Sequence, residues 1–144
     1  MNTNIIRTAA LAALLACWAL PVFAAASPLG VKIKAINKDL KILKAQIADP
    51  AQKGANIQIV ADLKQTTLDL RGMEPAKLQQ VPAVERVRFM ADYKAALGEM
   101  LGDIDGLDKA LHRSDADESK ALLKKIAKEK NKINSTYIKA AKKS

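Results

Sequence analysis

Residues 90–111 read MADYKAALGEMLGDIDGLDKAL, and this stretch decides the fold. Met90, Tyr93, Leu97, Met100, Ile104, Leu107 and Leu111 recur at alternating steps of three and four. At 3.6 residues per turn those positions share one face of an α-helix. The spacing predicts a helix from about Ala83 to Leu111, with an apolar stripe that has to be covered by something else.

Similar stripes lie on both sides of it. Leu29, Ile33, Ile36, Leu40, Leu43 and Ile47 repeat at four, three, four, three, four, with Lys32, Lys34, Lys38, Asp39, Lys41 and Lys44 filling the opposite side. This first helix runs from about Leu29 to Ala48 and stops at Asp49-Pro50, because proline disfavours helical geometry in the residue before it. Ile57, Val60, Leu63, Thr67 and Leu70 give a second helix from about Ala55 to Arg71, ended by Gly72. Met73 to Pro82 contains Pro75 and Pro82 and reads as a long connection. Beyond the third helix, Asp115 with Glu118 three residues later makes a cap for a fourth, whose stripe is Leu122, Ile126, Ile133, Tyr137 and Ala140. Lys130 falls on that stripe, its stem expected to pack while its ammonium reaches solvent. No helix can bury its stripe alone, and the short links between first and second and between third and fourth imply antiparallel neighbours. The fold expected is all-α, an antiparallel up-down-up-down four-helix bundle over residues 27–144.

Residues 1–26 are set apart as a signal peptide. Arg7 is the only charge there. Ala9 to Leu20 is an uncharged apolar run broken at Pro21, and small side chains three and one positions before the cut, Val22 and Ala24 or Ala24 and Ala26, suit cleavage after Ala24 or Ala26. The run is shorter than the ~20 residues of a membrane span. Export to the periplasm is the expectation. Leu14-Leu15-Ala16-Cys17 is the rival signal, in which Cys17 would be lipidated and tether the protein to a membrane. Cleavage after Ala24 or Ala26 removes the only cysteine, and with it disulfides and thiolate metal sites. Phe89, Tyr93 and Tyr137 remain as the only aromatics, which argues against a sheet protein.

The register of the stripes resembles a known family. Met90-Ala91-Asp92-Tyr93-Lys94, Gly102-Asp103-Ile104-Asp105, Asn131 and Tyr137 in the second half, and Ile36-Asn37-Lys38-Asp39-Leu40-Lys41-Ile42-Leu43 in the first helix, are similar to the cytochrome b562 family of periplasmic four-helix bundles. The resemblance covers most of the chain after the leader; only Asp49 to Pro82 aligns loosely. It implies one b-type haem and electron transfer, with the iron held by a methionine near the start of the first helix and a histidine near the end of the fourth. Those positions here are Ile33 and Asn134. Isoleucine has no lone pair to donate, and a neutral amide oxygen is a poor ligand for haem iron. Cofactor-binding residues are therefore expected to be none.

Other donors do not repair the loss. His112, the only histidine, lies between the third and fourth helices, far from Asn134. Met90 and Met100 sit on the core stripe, and Met73 has no partner donor. Tyr137 as phenolate and Lys130 as neutral amine are the remaining candidates for ferric iron. Lys130 with Asn134 reads as a buried polar pair marking a site whose occupant has gone, with the space between first and fourth helices filled by Ile33, Ile133 and Tyr137.

No catalytic apparatus is visible, neither a glycine-rich phosphate loop nor a Gly-x-Ser-x-Gly turn nor a Glu-x-x-His pair. Asp103 and Asp105 point to different faces, Asp105 and Asp108 to one, and all three read as solvated charge. The remaining signal is the basic balance, net +9, with nine lysines from Ser119 to Ser144 opposed only by Glu129. An anionic membrane surface or an acidic protein is the partner this suits, and a soluble helix face is the plainer explanation. Nucleic acid is not expected, since no recognition motif accompanies the charge. The function expected is a non-enzymatic periplasmic binding or structural bundle; the alternative is a b-type haem electron carrier with unusual ligation.

Overall fold

The computed structural model describes residues 27–139. Among them are four α-helices and no strand: α1 (Pro28–Gln46), α2 (Lys53–Arg71), α3 (Arg86–His112) and α4 (Ala116–Ile133). The leader, Cys17 and Ala140 lie outside the described residues.

Local chemistry sets each boundary. Ser27 Oγ accepts the Gly30 amide at 3.1 Å and Pro28 opens α1, where its missing N–H costs nothing. After Ile47, Asp49 Oδ1 caps the Ala51 amide at 2.9 Å, and Pro50 starts a single 3₁₀ turn that runs into α2. Helix α2 thus begins at Lys53, two residues earlier than the stripe suggests. Pro75 and Pro82 each precede a short 3₁₀ segment, Ala76–Gln80 and Ala83–Glu85, before α3 begins at Arg86. Asp115 Oδ1 accepts the Glu118 amide at 3.0 Å, so the expected cap is present. Its reciprocal half is not, because the Glu118 carboxylate pairs with Arg113 instead. Ser114 closes this turn with φ 58°, in the left-handed region. Lys53 Nζ holds the turn from the start of α2, donating to Ser114 Oγ at 2.9 Å and the His112 carbonyl at 2.8 Å.

Helix α3 packs against both α2 and α4, α1 packs against α2, and α1 meets α4 more sparsely. One continuous core joins all four, with Ile36, Leu43, Leu63, Ile104, Leu107 and Ile126 sealed from solvent. Cross-links fix which ends meet. Lys32 near the start of α1 pairs with Asp69 near the end of α2, and Tyr93 near the start of α3 donates to the Leu70 carbonyl at 3.0 Å. Lys64 pairs with Asp105 at 2.7 Å, and Lys125 with Asp103 at 2.7 Å.

The stripes differ from their sequence reading in a few places. Met90 is only half-buried, while Leu101 and Ala110 join the buried face, because α3 has two helices to cover rather than one. Asn56 is buried in α2, exchanging hydrogen bonds with Gln46 across the α1–α2 turn. In α4, Leu123 rather than Leu122 is the buried leucine, with Ser119 buried one turn before it. After Ile133 the helix widens into a π turn over Asn134–Ile138, closed by the Lys139 amide on the Asn134 carbonyl at 2.7 Å. The i→i+5 bonding of this turn inserts extra length into the helix and returns Ile138, not Tyr137, to the deep core with Ile133.

Tyr93 is fully buried, and burial pushes its phenol up to about 12. Its hydroxyl adds a second donor to the Leu70 carbonyl, one of the last four of α2, which also accepts the Met73 amide at 3.0 Å. Tyr93→Phe should lower stability by about 1–2 kcal/mol in urea unfolding monitored by circular dichroism, with helix content retained.

Candidate functional site

Of the two positions singled out by the resemblance, Ile33 belongs to the core and Asn134 lies at its edge. Ile33 is buried in the same cluster as Ile133 and Ile138. Asn134 is half-buried and opens the π turn, where its carbonyl is already engaged by Lys139. Tyr137 packs its ring on Phe89 and Tyr93, with centroids 5.1 and 5.4 Å apart. Burial, with Asp92 and Glu99 nearby, raises the Tyr137 phenol above its ordinary value, which disfavours the phenolate.

Lys130 does not pair with Asn134. Its ammonium crosses to α1 and donates to Asn37 Oδ1 at 2.6 Å, and partial burial lowers its pKa. Lys130 is half-buried, and its ammonium meets this side chain of the neighbouring helix in an exposed contact. His112 is exposed at the α3–α4 turn, with Nδ1 2.9 Å from the Asp108 carbonyl. Met100 is buried in the core, and Met73 packs on its edge. Among the described residues, no three His, Cys, Asp or Glu side chains converge where they could hold a metal ion. Nor is any helix among them long and apolar enough to cross a membrane.

A carboxyl pair lies between α3 and α4. Asp103, read from sequence as solvated, is only 13% exposed in its side chain, and Glu129 is 20% exposed. Lys125 salt-bridges Asp103 Oδ1 and lies 3.9 Å from Glu129 Oε1. The other two oxygens, Asp103 Oδ2 and Glu129 Oε2, are buried with no donor of their own. Two carboxyls that face each other in this way are best satisfied by one shared proton. Burial, then the hydrogen bond to Asp103 and its charge, push Glu129 up to about 7. Asp105, on another face, meets Lys64 of α2. The sequence spacing showed that Asp103 and Asp105 diverge; that Asp103 meets Glu129 depends on the axial offset of two helices, which no spacing within one helix encodes.

The lysines of α4 divide into two sets. Lys125 and Lys130 are engaged across helix boundaries. Lys120, Lys124, Lys128 and Lys132 are exposed, four residues apart, and form no ion pair among the described residues. This spacing stacks them in one row, where neighbouring like charges repel by a few tenths of a kcal/mol per pair. Comparison of the chain with protein-family models, with curated proteins and with solved structures finds no match.

The carboxyl pair makes stability depend on pH. The folded pKa of Glu129 lies above the unfolded value of an ordinary glutamate, so between about pH 4.5 and 7 the folded chain holds the extra proton. Stability conferred by that proton is complete below this window, falls as pH rises through it, and is gone above it. Glu129→Gln keeps a neutral hydrogen-bonding group at all pH values. It should flatten that decline and raise stability at pH 8 by on the order of 1 kcal/mol, read from urea midpoints at pH 5 and pH 8.

Proposed function

We propose that this chain is a non-enzymatic, exported four-helix bundle of up-down-up-down topology that binds an anionic partner through the basic surface of α4. The exposed row Lys120, Lys124, Lys128 and Lys132 carries this reading. Four like charges held in register on a rigid helix cost stability when alone and are relieved by an anionic surface. The topology is supported by the cross-links, which join the start of α1 to the end of α2 and the end of α2 to the start of α3. Phospholipid headgroups are the anionic surface that an exported protein meets at highest density.

The chain is similar in register to the cytochrome b562 family but does not carry its chemistry. Ile33 offers no donor and is buried in the hydrophobic core. Asn134 offers only a neutral amide, and Tyr137 is engaged with Phe89 and Tyr93. These residues do not fit an axially ligated haem, and no step of the function runs through one.

Two measurements test the reading. Adsorption to vesicles containing an anionic phospholipid should exceed adsorption to neutral vesicles and fall steeply between low salt and 0.5 M salt; equal adsorption to both would refute the charge-based role. Titration with haemin should give no sharp, stoichiometric low-spin spectrum, whereas the double substitution Ile33→Met with Asn134→His should produce one. A low-spin spectrum from the unsubstituted chain would overturn the proposal of lost ligation, and its absence from the double variant would overturn the register.

A further inference from the structure

Charge is distributed unevenly across the four helices. Helices α1 and α4 together carry eleven lysines against four acidic residues, while α2 and α3 carry seven basic and seven acidic residues. The two basic helices are adjacent, and they are the loosely packed pair of the bundle. A groove of about 430 Å³ opens between the second half of α1 and the first half of α4. Its floor is carbon: Leu40 and Ile47 from the α1 side, Leu123 and Ala127 from α4. Lys44, Lys120 and Lys124 stand around it. None of these three forms an ion pair or a hydrogen bond among the described residues.

We infer that this groove binds a fatty carboxylate, its alkyl chain lying on Leu40, Ile47, Leu123 and Ala127 and its carboxylate held by Lys44, Lys120 and Lys124. The volume falls within the ~300–1,000 Å³ of small-molecule sites. Leu40 and Ile47 are seven residues apart, so the floor extends about 10 Å along the helix axis at 1.5 Å per residue, a trough suited to a chain rather than a ring. The lysine stems extend its apolar walls while their ammonium groups stay at the rim. Anchoring one end of an apolar ligand calls for charge at the rim and carbon beneath, and the three cations, on helices facing each other, lose their mutual repulsion when a carboxylate sits among them. The groove occupies the half of the α1–α4 seam away from Ile33 and Asn134, toward the turns at Asp49 and Asp115, so it owes nothing to the haem positions.

This inference deepens the binding role proposed for α4 and rests on it. Calorimetric titration of the purified chain with dodecanoate below its micellar concentration should show saturable binding of one ligand per chain. Dodecyl maltoside, with the same chain and a neutral head, should bind at least about tenfold more weakly. The triple variant Lys44→Ala, Lys120→Ala, Lys124→Ala should also lose about tenfold or more, while the corresponding triple arginine variant keeps affinity within a fewfold. All three positions are exposed, and unchanged circular dichroism would show that the variants fold. Ala127→Phe, which fills the trough and leaves the lysines in place, should abolish dodecanoate binding but preserve adsorption to anionic vesicles. Absence of saturable dodecanoate binding, equal binding of the neutral amphiphile, or full affinity in the triple alanine variant would each overturn the assignment. If vesicle adsorption survives such a result, the basic surface stands without the groove; if it too is lost, both readings fall.

Discussion

The two-sided apolar face of α3 is the interaction on which the rest of the four-helix fold depends. Tyr93, Leu97, Met100, Ile104, Leu107 and Leu111 form the main stripe, and Leu101 and Ala110 widen it enough to meet α2 on one side and α4 on the other. Each fully buried aliphatic side chain contributes roughly 1.5–3 kcal/mol against exposure to water. Helix α1 has no such double engagement. It is held mainly through α2, and its seam with α4 is sparser than the α1–α2, α2–α3 and α3–α4 seams. The placement of the groove follows from this hierarchy, because space is left where the core is least committed.

Polar groups inside this framework mark where packing alone did not decide the arrangement. Tyr93 spends its hydroxyl on the end of α2, and Asn56 ties the α1–α2 turn to Gln46. Asp103 and Glu129 are different in kind, since they bring two carboxyls to a shared boundary with one lysine between them. A buried pair of like groups favours a protonated form, so the α3–α4 seam is at its most cohesive in mild acid. Leucines at the same positions would carry no such dependence.

Much of the fold could be read in the chain because it is written within single helices. The three-four spacing locates all four helices, Pro50 and Pro82 place their interruptions, and Asp115 marks the last N-terminus. Features that depend on two helices at once were not legible in that way. Lys130 follows the stripe of its own helix, but its partner, Asn37, sits on another. Leu122 and Leu123 are adjacent and equally apolar, so a rotation of α4 by one residue decides which is buried. The π turn at Asn134–Ile138 breaks the 3.6-residue period on which the reading of Tyr137 relied. The groove was hidden for a related reason: it belongs to the distance between α1 and α4, and neither sequence stripe records a gap.

The separation of charge between the two halves of the bundle has an effect that begins before any contact. Among the described residues the excess cations lie on α1 and α4, so this part of the chain carries an electric moment across its long axis as well as a net charge. Approaching an anionic layer, it experiences a torque that turns those two helices forward and leaves the balanced pair, α2 and α3, behind. At physiological ionic strength the field fades over about 8 Å, so the turning is confined to the final approach. Encounter is thereby converted from a search over all orientations into a choice already made, and dilution of the surrounding salt lengthens the distance over which it is made.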